Sequence, residues 1–259
     1  MLKSLLLSQM FLKHIDITED LFVTDIVRLD YRTARVFKKH DIDFCCGGRW
    51  TLGTVCELKG IDLIAIMNEL EHSVKKVQLS NSIRFDNWSI DFLIGYIINV
   101  HHHYLRNELP GIKDQLDRFT EAHAKKYPHM KEVQEQFRYV YQELIPHLAQ
   151  EEEILFPYIR QIAHAYDSKE LYASLLVRTL RKPVENVMQH EHDFISKSLQ
   201  NIRTLTDTYR PPEMSCISHD VTYSLLKELD NDLVQHLYLE NEILFPKAIA
   251  MEKELLLKR

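Results

Sequence analysis

The stretch His147-Leu-Ala-Gln-Glu-Glu-Glu-Ile-Leu-Phe-Pro157 returns almost unchanged as His236-Leu-Tyr-Leu-Glu-Asn-Glu-Ile-Leu-Phe-Pro246. Each copy places a histidine four residues before a glutamate, so on a helix both side chains project from the same face. Imidazole nitrogen and carboxylate oxygen together form a ligand set that suits iron, manganese or zinc. We therefore interpret the two copies as two halves of one metal site.

The histidine and the glutamate of the first copy both recur after 89 residues. If the duplication extends upstream, a histidine of the first bundle helix should recur at a similar interval in the third. His102 and His192 are 90 residues apart, and His101 and His103 compete with His102 for this role. Apolar residues stand four before, three after and seven after both His102 and His192, which favours His102. The predicted metal ligands are His102, His147, Glu151, His192, His236 and Glu240.

These six side chains would lie in one helical core, where each charged or polar group costs several kcal/mol to remove from water. Bound cations would offset that cost. Six protein ligands would saturate one octahedral ion, whereas two ions that share both carboxylates keep positions open for a small ligand. The expected cofactor is therefore two iron ions, bridged by carboxylates and by an oxo or hydroxo group, with zinc as the weaker alternative.

Three acids close to these ligands are candidates for supporting roles. Glu143 and Asp232 each lie four residues before a ligand histidine, where a carboxylate can fix the tautomer of the imidazole. Glu191 directly precedes His192 and could deliver protons. The alternative for each of the three is an ordinary solvated acid at the surface of the bundle.

Composition and periodicity predict an all-α protein. The 259 residues include only 6 Gly and 8 Pro, and long stretches carry apolar residues at three- and four-residue spacing. A net charge of -6 without a basic stretch argues against nucleic acid as a partner. The apolar run at the N-terminus is too short for a secretory signal or a membrane span. Four cysteines, two of them adjacent, form no disulfide framework, so we expect a cytoplasmic protein with reduced thiols.

The sequence predicts two domains, with a boundary in the polar stretch near residue 78. Residues 1–78 would form a small helical domain in which Thr51 and Asp62 cap helices. Residues 79–259 would form an antiparallel four-helix bundle, with the first helix broken at Pro110 and resumed from Ile112. The four predicted bundle helices are Ser89 to Glu108, Met130 to Phe156, Pro183 to Thr206 and Ser218 to Phe245.

The two His-x-x-x-Glu segments with their upstream histidines resemble those of hemerythrin-like di-iron bundles. Together with the Asp-Phe-Cys-Cys-Gly-Gly segment at residues 43–48, the chain resembles the Repair of Iron Centers family of YtfE-like and ScdA-like proteins. The resemblance covers about residues 24–250. It implies a hemerythrin-like bundle preceded by an ScdA-like domain, and it places the family's ligands on the same six residues.

The resemblance further implies a cytoplasmic protein that repairs iron–sulfur clusters damaged by nitrosative or oxidative stress. Repair would proceed by iron donation, by reduction of nitric oxide to nitrous oxide at the di-iron centre, or by both, with damaged iron–sulfur proteins as partners. Glu143 and Glu191 match acids of the family, and Cys45 and Cys46 match its cysteine pair, which implies redox chemistry or hand-off of iron or nitrosyl groups. From the residues alone, those cysteines could equally be packing residues.

Three questions stay open at the level of sequence. The alternative function is a hemerythrin-like protein that binds or senses oxygen, nitric oxide or iron without turnover. The sequence does not show whether two chains pair as a homodimer. It also gives no role to residues 1–23 or to His123, which lies outside the duplicated pattern.

Overall fold

The computed structural model describes residues 17–44, 50–74, 84–169 and 189–257, without the side chains of residues 189–191. Throughout these ranges the regular structure is helical, which confirms the all-α prediction. The described residues pack as two compact units. Of the described residues, those before residue 84 and those of Tyr209–Leu226 form the first unit, and those from 84 to 208 and from Lys227 onward form the second. The predicted domain boundary between residues 78 and 79 lies outside the described residues.

The described N-terminal part of the first unit contains four short helices. Thr51 caps the third helix by accepting a hydrogen bond from the backbone N–H of Thr54, and Asp62 accepts from the N–H groups of Ile64 and Ala65. Both predicted caps are therefore present. The four helices are α1 (Val23–Leu29), α2 (Thr33–Lys39), α3 (Leu52–Lys59) and α4 (Leu63–Val74).

A small apolar core holds these four helices together. Phe37, Leu52 and Leu70 are fully buried in it, each at 0% exposure. Ile217 and Val221, which follow far later in the chain, belong to the same cluster. A module of this size buries little apolar surface on its own. The two side chains from the later segment enlarge the apolar core that α1–α4 form.

The second unit contains the bundle, in which three of the long helices are interrupted by π-helical turns. The first helix comprises α5 (Ile90–Tyr96), the π-turn Ile97–His102 and α6 (His103–His123). The second comprises α7 (Met130–Gln150), the π-turn Glu151–Leu155 and α8 (Phe156–Asp167). The described part of the third is α9 (Gln189–Leu205). The fourth comprises α10 (Ile217–Tyr238), whose first turns belong to the first unit, the π-turn Leu239–Leu244 and α11 (Phe245–Leu257).

Helices two and three of the bundle run antiparallel. His192 of α9 lies beside His147 of α7, and Asn201, further along α9, bonds to Gln136, which is earlier on α7. A cluster of buried apolar residues joins the π-turns to the helices beside them and includes Ile94 of α5, Ile159 of α8 and Leu244 of the third π-turn. In the part of the chain that the structure describes, no helix is long and apolar enough to cross a membrane.

Three predicted helix ends are wrong. The first helix continues through Pro110 to His123 instead of breaking. Pro110 is exposed, so water can bond to the backbone carbonyl that loses its amide donor. The second helix continues past Phe156 to Asp167, and the fourth continues past Phe245 to Leu257.

The π-turns explain both late helix ends. In each copy of the repeat, an amide reaches back five residues instead of four: Phe156 donates to the carbonyl of Glu151, and Phe245 donates to that of Glu240. Proline follows directly in both copies. A wider turn accommodates a proline there because its ring would clash with the carbonyl four residues earlier in a regular α-helix. The Leu-Phe-Pro sequence therefore marks a π-turn inside a longer helix.

Candidate metal centre

All six predicted metal ligands lie together in the second unit and are buried, with at most 2% of each residue exposed. They form two groups of four, in which one nitrogen or oxygen atom from each residue lies within 4.8 Å of the others. Both groups contain Glu151 and Glu240. The groups are His102, Glu151, His236 and Glu240, which we call position A, and His147, Glu151, His192 and Glu240, which we call position B.

At position A, the Nε2 atoms of His102 and His236 are 3.1 Å apart. Glu151 Oε2 is 3.4 Å from His102 Nε2, and Glu240 Oε1 is 3.0 Å from His236 Nε2. This position thus presents two nitrogen atoms and two oxygen atoms to one small volume.

Position B repeats this arrangement with the other two histidines. The Nε2 atoms of His147 and His192 are also 3.1 Å apart. Glu151 Oε1 is 3.3 Å from His147 Nε2, and Glu240 Oε2 is 3.5 Å from His192 Nε2. Each carboxylate therefore turns one oxygen towards each position, which is the arrangement of a carboxylate shared by two cations.

The electrostatics of the six groups favour cations. Among the described residues, no hydrogen bond reaches either oxygen of Glu151 or Oε2 of Glu240. Burial, followed by the negative charge of Glu151, raises the pKa of Glu240 well above its usual value. Burial alone would raise the pKa of Glu151, but the surrounding imidazoles lower it. Burial lowers the pKa of His236 to about 3, so this imidazole stays neutral and can donate its lone pair.

The donor set fits metal ions on two further grounds. Two nitrogen atoms that each lie roughly 2.1 Å from one ion are ~3.1 Å apart when the nitrogen–ion–nitrogen angle is slightly above a right angle. This separation matches the Nε2–Nε2 distance of both histidine pairs. Imidazole and carboxylate without thiolate suit iron or manganese, and the same set also admits zinc. The unpaired carboxylate oxygens between the histidines would be satisfied by such ions.

Two contacts outside the ligand groups orient the upstream histidines. His102 donates from Nδ1 to Glu152 Oε1 at 2.6 Å, and His192 donates from Nδ1 to Asn241 Oδ1 at 2.8 Å. A carboxylate and an amide carbonyl can only accept, so Nδ1 carries the proton and the lone pair of Nε2 faces the centre. Arg106 also donates to Glu152, at 2.8 Å.

Sequence reasoning missed both of these partners, although the repeat contained a signal for them. Glu152 and Asn241 each directly follow the shared glutamate, so they occupy equivalent places in the two copies. Equivalent aromatic residues also cover the two histidines: the ring of Phe156 stacks on His102 and that of Phe245 stacks on His192. The polar and the apolar contacts of the site thus both follow the duplication.

The competing histidines of the first helix have different surroundings. His103 is exposed and bonds to Asn107. His101 is buried, its Nδ1 lies 3.0 Å from Asp232 Oδ1, and its ring stacks on His236. Asp232 therefore contacts His101 rather than the ligand histidine for which the sequence proposed it. His123 lies outside both ligand groups, in ring contact with Phe119.

The remaining predicted site residues are not brought to the centre by the described structure. Glu143 is exposed on α7. The side chain of Glu191 and the whole of Cys45 and Cys46 lie outside the described residues, so their proposed roles stay predictions.

Cys56 is buried in the apolar cluster of the first unit, and burial raises the pKa of its thiol. A buried thiol with a raised pKa is poorly reactive, in agreement with a structural role.

Comparison with known proteins finds two family matches along the chain. Residues 94–248 match the Hemerythrin HHE cation binding domain family, and residues 20–74 match ScdA_N, a domain of unknown function (DUF542). The iron–sulfur cluster repair protein YtfE of Enterobacter sp. (strain 638) is 32% identical over 224 residues, which are 85% of this chain and 93% of that protein. YtfE of Citrobacter koseri is likewise 32% identical over 224 residues, with the same coverage of both chains. YtfE of Yersinia pestis is 28% identical over 221 residues, again 85% of this chain and 93% of the relative.

Proposed function

The chain belongs to the family of YtfE iron–sulfur cluster repair proteins, and we propose that it repairs damaged iron–sulfur clusters with two iron ions held at positions A and B. One observation carries this proposal: two sets of two histidines share two buried carboxylates, and each carboxylate turns one oxygen to each set. A protein that handles iron for clusters needs a centre that holds the metal away from water and can still release it.

The residues around the centre would hold the metal and keep water away from it. Glu152 and Asn241 hold His102 and His192 in the tautomer that presents Nε2 to a metal. Phe156 and Phe245 cover the same two rings and keep water from them. The iron ions, when bound, would supply the exchangeable metal and the redox chemistry towards nitric oxide or peroxide. Every other contribution comes from side chains that bind, orient and shield.

Iron donation to damaged clusters is the activity that this arrangement supports best. Two histidines and two shared carboxylates at each position would hold an iron ion and leave coordination positions open, unlike the closed coordination of a structural site. Damaged iron–sulfur proteins would be the partners, and Cys45 and Cys46 remain candidates for the hand-off of iron. We place this function in the cytoplasm, where such thiols stay reduced.

Recovery of a nitrosylated iron–sulfur dehydratase tests the proposal. The Glu151→Leu variant should lose the ability to restore dehydratase activity, because it removes a carboxylate from both positions. Glu153→Leu is the matched control, since Glu153 is exposed in the same π-turn and should leave recovery unchanged. Full recovery with Glu151→Leu would contradict the proposed function.

The alternative is binding or sensing of oxygen, nitric oxide or iron without turnover, for which the match to the hemerythrin domain is the supporting observation. The two functions differ in what happens when nitric oxide is added anaerobically to the ferrous protein. Release of nitrous oxide with loss of bound nitric oxide indicates turnover. Stable, reversible binding of nitric oxide without any dehydratase recovery indicates a sensor or carrier.

A further inference from the structure

The two halves of the metal centre differ at one pair of equivalent positions. Glu152 and Asn241 both directly follow a shared glutamate, and both accept the Nδ1 proton of an upstream histidine. One acceptor is a carboxylate and the other is a neutral amide. Position A therefore has a histidine hydrogen-bonded to a charged group, and position B does not.

This difference changes the strength of the histidine as a ligand. A carboxylate that accepts the Nδ1 proton gives the imidazole partial imidazolate character, which makes Nε2 a stronger donor to a cation. An amide oxygen does the same to a much smaller extent. The contacts agree with this order, since the His102–Glu152 distance is 2.6 Å and the His192–Asn241 distance is 2.8 Å. Asn241 is also exposed, so water competes for its carbonyl oxygen, whereas Glu152 is only partly exposed.

Arg106 reduces this asymmetry but does not remove it. Its guanidinium contacts the same oxygen of Glu152 that accepts from His102, at 2.8 Å. The side chain of Arg106 is 43% exposed, so solvent screens its charge. The hydrogen bond from His102 to Glu152 Oε1 is therefore kept beside the ion pair.

A second carboxylate lies on the same side of the centre. Asp232 contacts His101 at 3.0 Å, and the His101 ring stacks on His236, the other histidine of position A. Glu143 occupies the place equivalent to Asp232 in the first copy, but it is exposed on α7. Position A thus has two nearby carboxylates outside its ligand group, and position B has an amide and a solvated acid.

From these contacts we infer that the two cation positions are unequal: position A retains iron, and position B is the labile position from which iron is delivered. That position B delivers its iron rests on the proposed function. The difference in iron retention rests only on the geometry of Glu152 and Asn241. Partners of ligand histidines typically change metal affinity by about 10–100-fold. Release of iron from the two positions should therefore differ by at least roughly tenfold.

The inference is tested by measuring how fast the loaded full-length protein releases ferrous iron. An excess of a coloured ferrous chelator captures the released iron under anaerobic conditions. The wild-type protein should release iron in two phases of equal amplitude, one iron ion per chain in each. Glu152→Gln keeps the shape of the side chain but removes its charge, so the slow phase should accelerate by roughly tenfold while the fast phase changes little. Asn241→Asp adds a charge without a change of shape and should slow the fast phase alone.

Arg106→Gln is the control, because it removes a neighbour of Glu152 and leaves the contact with His102 in place. It should shift the slow phase less than Glu152→Gln does. Far-ultraviolet circular dichroism and the iron content before chelation show that each variant is folded and loaded.

Two results would overturn the inference while leaving the proposed function intact. One is release of both iron ions in a single phase from the wild-type protein. The other is an equal acceleration of both phases by Glu152→Gln. By contrast, a wild-type chain that binds no iron would contradict the proposed function itself, so the two failures are distinguishable.

Discussion

Glu240→Gln should have opposite effects on stability in the metal-free and the iron-loaded protein. Glu240 is fully buried, and its Oε2 has no hydrogen-bond donor among the described residues. Glu151, also fully buried, has no donor for either carboxylate oxygen in the same part of the chain. Two carboxylates in this position destabilise the metal-free fold, and glutamine keeps the volume while removing one of them.

The magnitude follows from the unsatisfied groups. Glutamine stays polar, but it carries no charge and its amide N–H can donate to an oxygen of Glu151; a buried polar group without a partner costs about 1–3 kcal/mol, so the metal-free variant should be more stable by about this amount. For a unit of this size, 1 kcal/mol corresponds to about 2–4 °C in the melting temperature. The metal-free Glu240→Gln protein should therefore melt roughly 2–12 °C above the metal-free wild type.

Iron should reverse this order. A ligand at a hundred times its dissociation constant stabilises the native state by about 2.7 kcal/mol for each site. Glu240 belongs to both positions, so its replacement weakens both. Loaded wild-type protein should consequently melt above the loaded variant.

Anaerobic calorimetric or circular dichroism melts, with and without ferrous iron, measure all four melting temperatures. Glu242→Gln is the matched control, because Glu242 is exposed in the same π-turn and should change neither form. A Glu240→Gln variant that melts below wild type even without metal would refute the reasoning, since the carboxylate would then stabilise the fold on its own.

Further predictions concern the bundle and the cysteines. Asp230→Ala should lower stability by about 3 kcal/mol without a change in iron content, since it removes the buried partner of Arg203; a thermal melt and an iron assay check this. Pro110→Ala should raise stability by up to ~3 kcal/mol because the helix runs through this position, and an unchanged denaturation midpoint would favour the broken helix. Cys45→Ser combined with Cys46→Ser should retain two iron ions per chain but lower dehydratase recovery; undiminished recovery would make the cysteines dispensable.

The duplicated segment predicted much of the centre because helical spacing relates sequence distance directly to side-chain direction. The 89-residue interval pointed to the His101–His103 run, and the apolar flanking positions shared with His192 selected His102; the structure places His102 with the other predicted ligands. The same interval could have identified Glu152 and Asn241, since each is one residue beyond a shared glutamate.

The π-turns were not predictable from periodicity, and the burial of His101 beside His102 at the first of them was missed for this reason. In a regular α-helix two consecutive residues point about 100° apart, so only one of His101 and His102 was expected inside. The π-turn at Ile97–His102 alters this direction, and both histidines are buried. Asp232 therefore meets His101, which sequence reasoning had set aside as a rejected ligand.

Local proline rules also failed at Pro110 because they describe an isolated helix. In the folded protein the flanking residues Leu109 and Ile112 are buried, and this packing holds the helix together across the missing hydrogen bond. The second and fourth helices were likewise predicted to end at Phe156 and Phe245, each directly before a proline, whereas both continue.

The iron content of the anaerobically reconstituted chain tests the central claim most directly. Two positions that share Glu151 and Glu240 predict two iron ions per chain, with His102→Ala reducing the content through position A and His147→Ala reducing it through position B. A wild-type chain that holds one iron ion or none after reconstitution would contradict a shared two-iron centre.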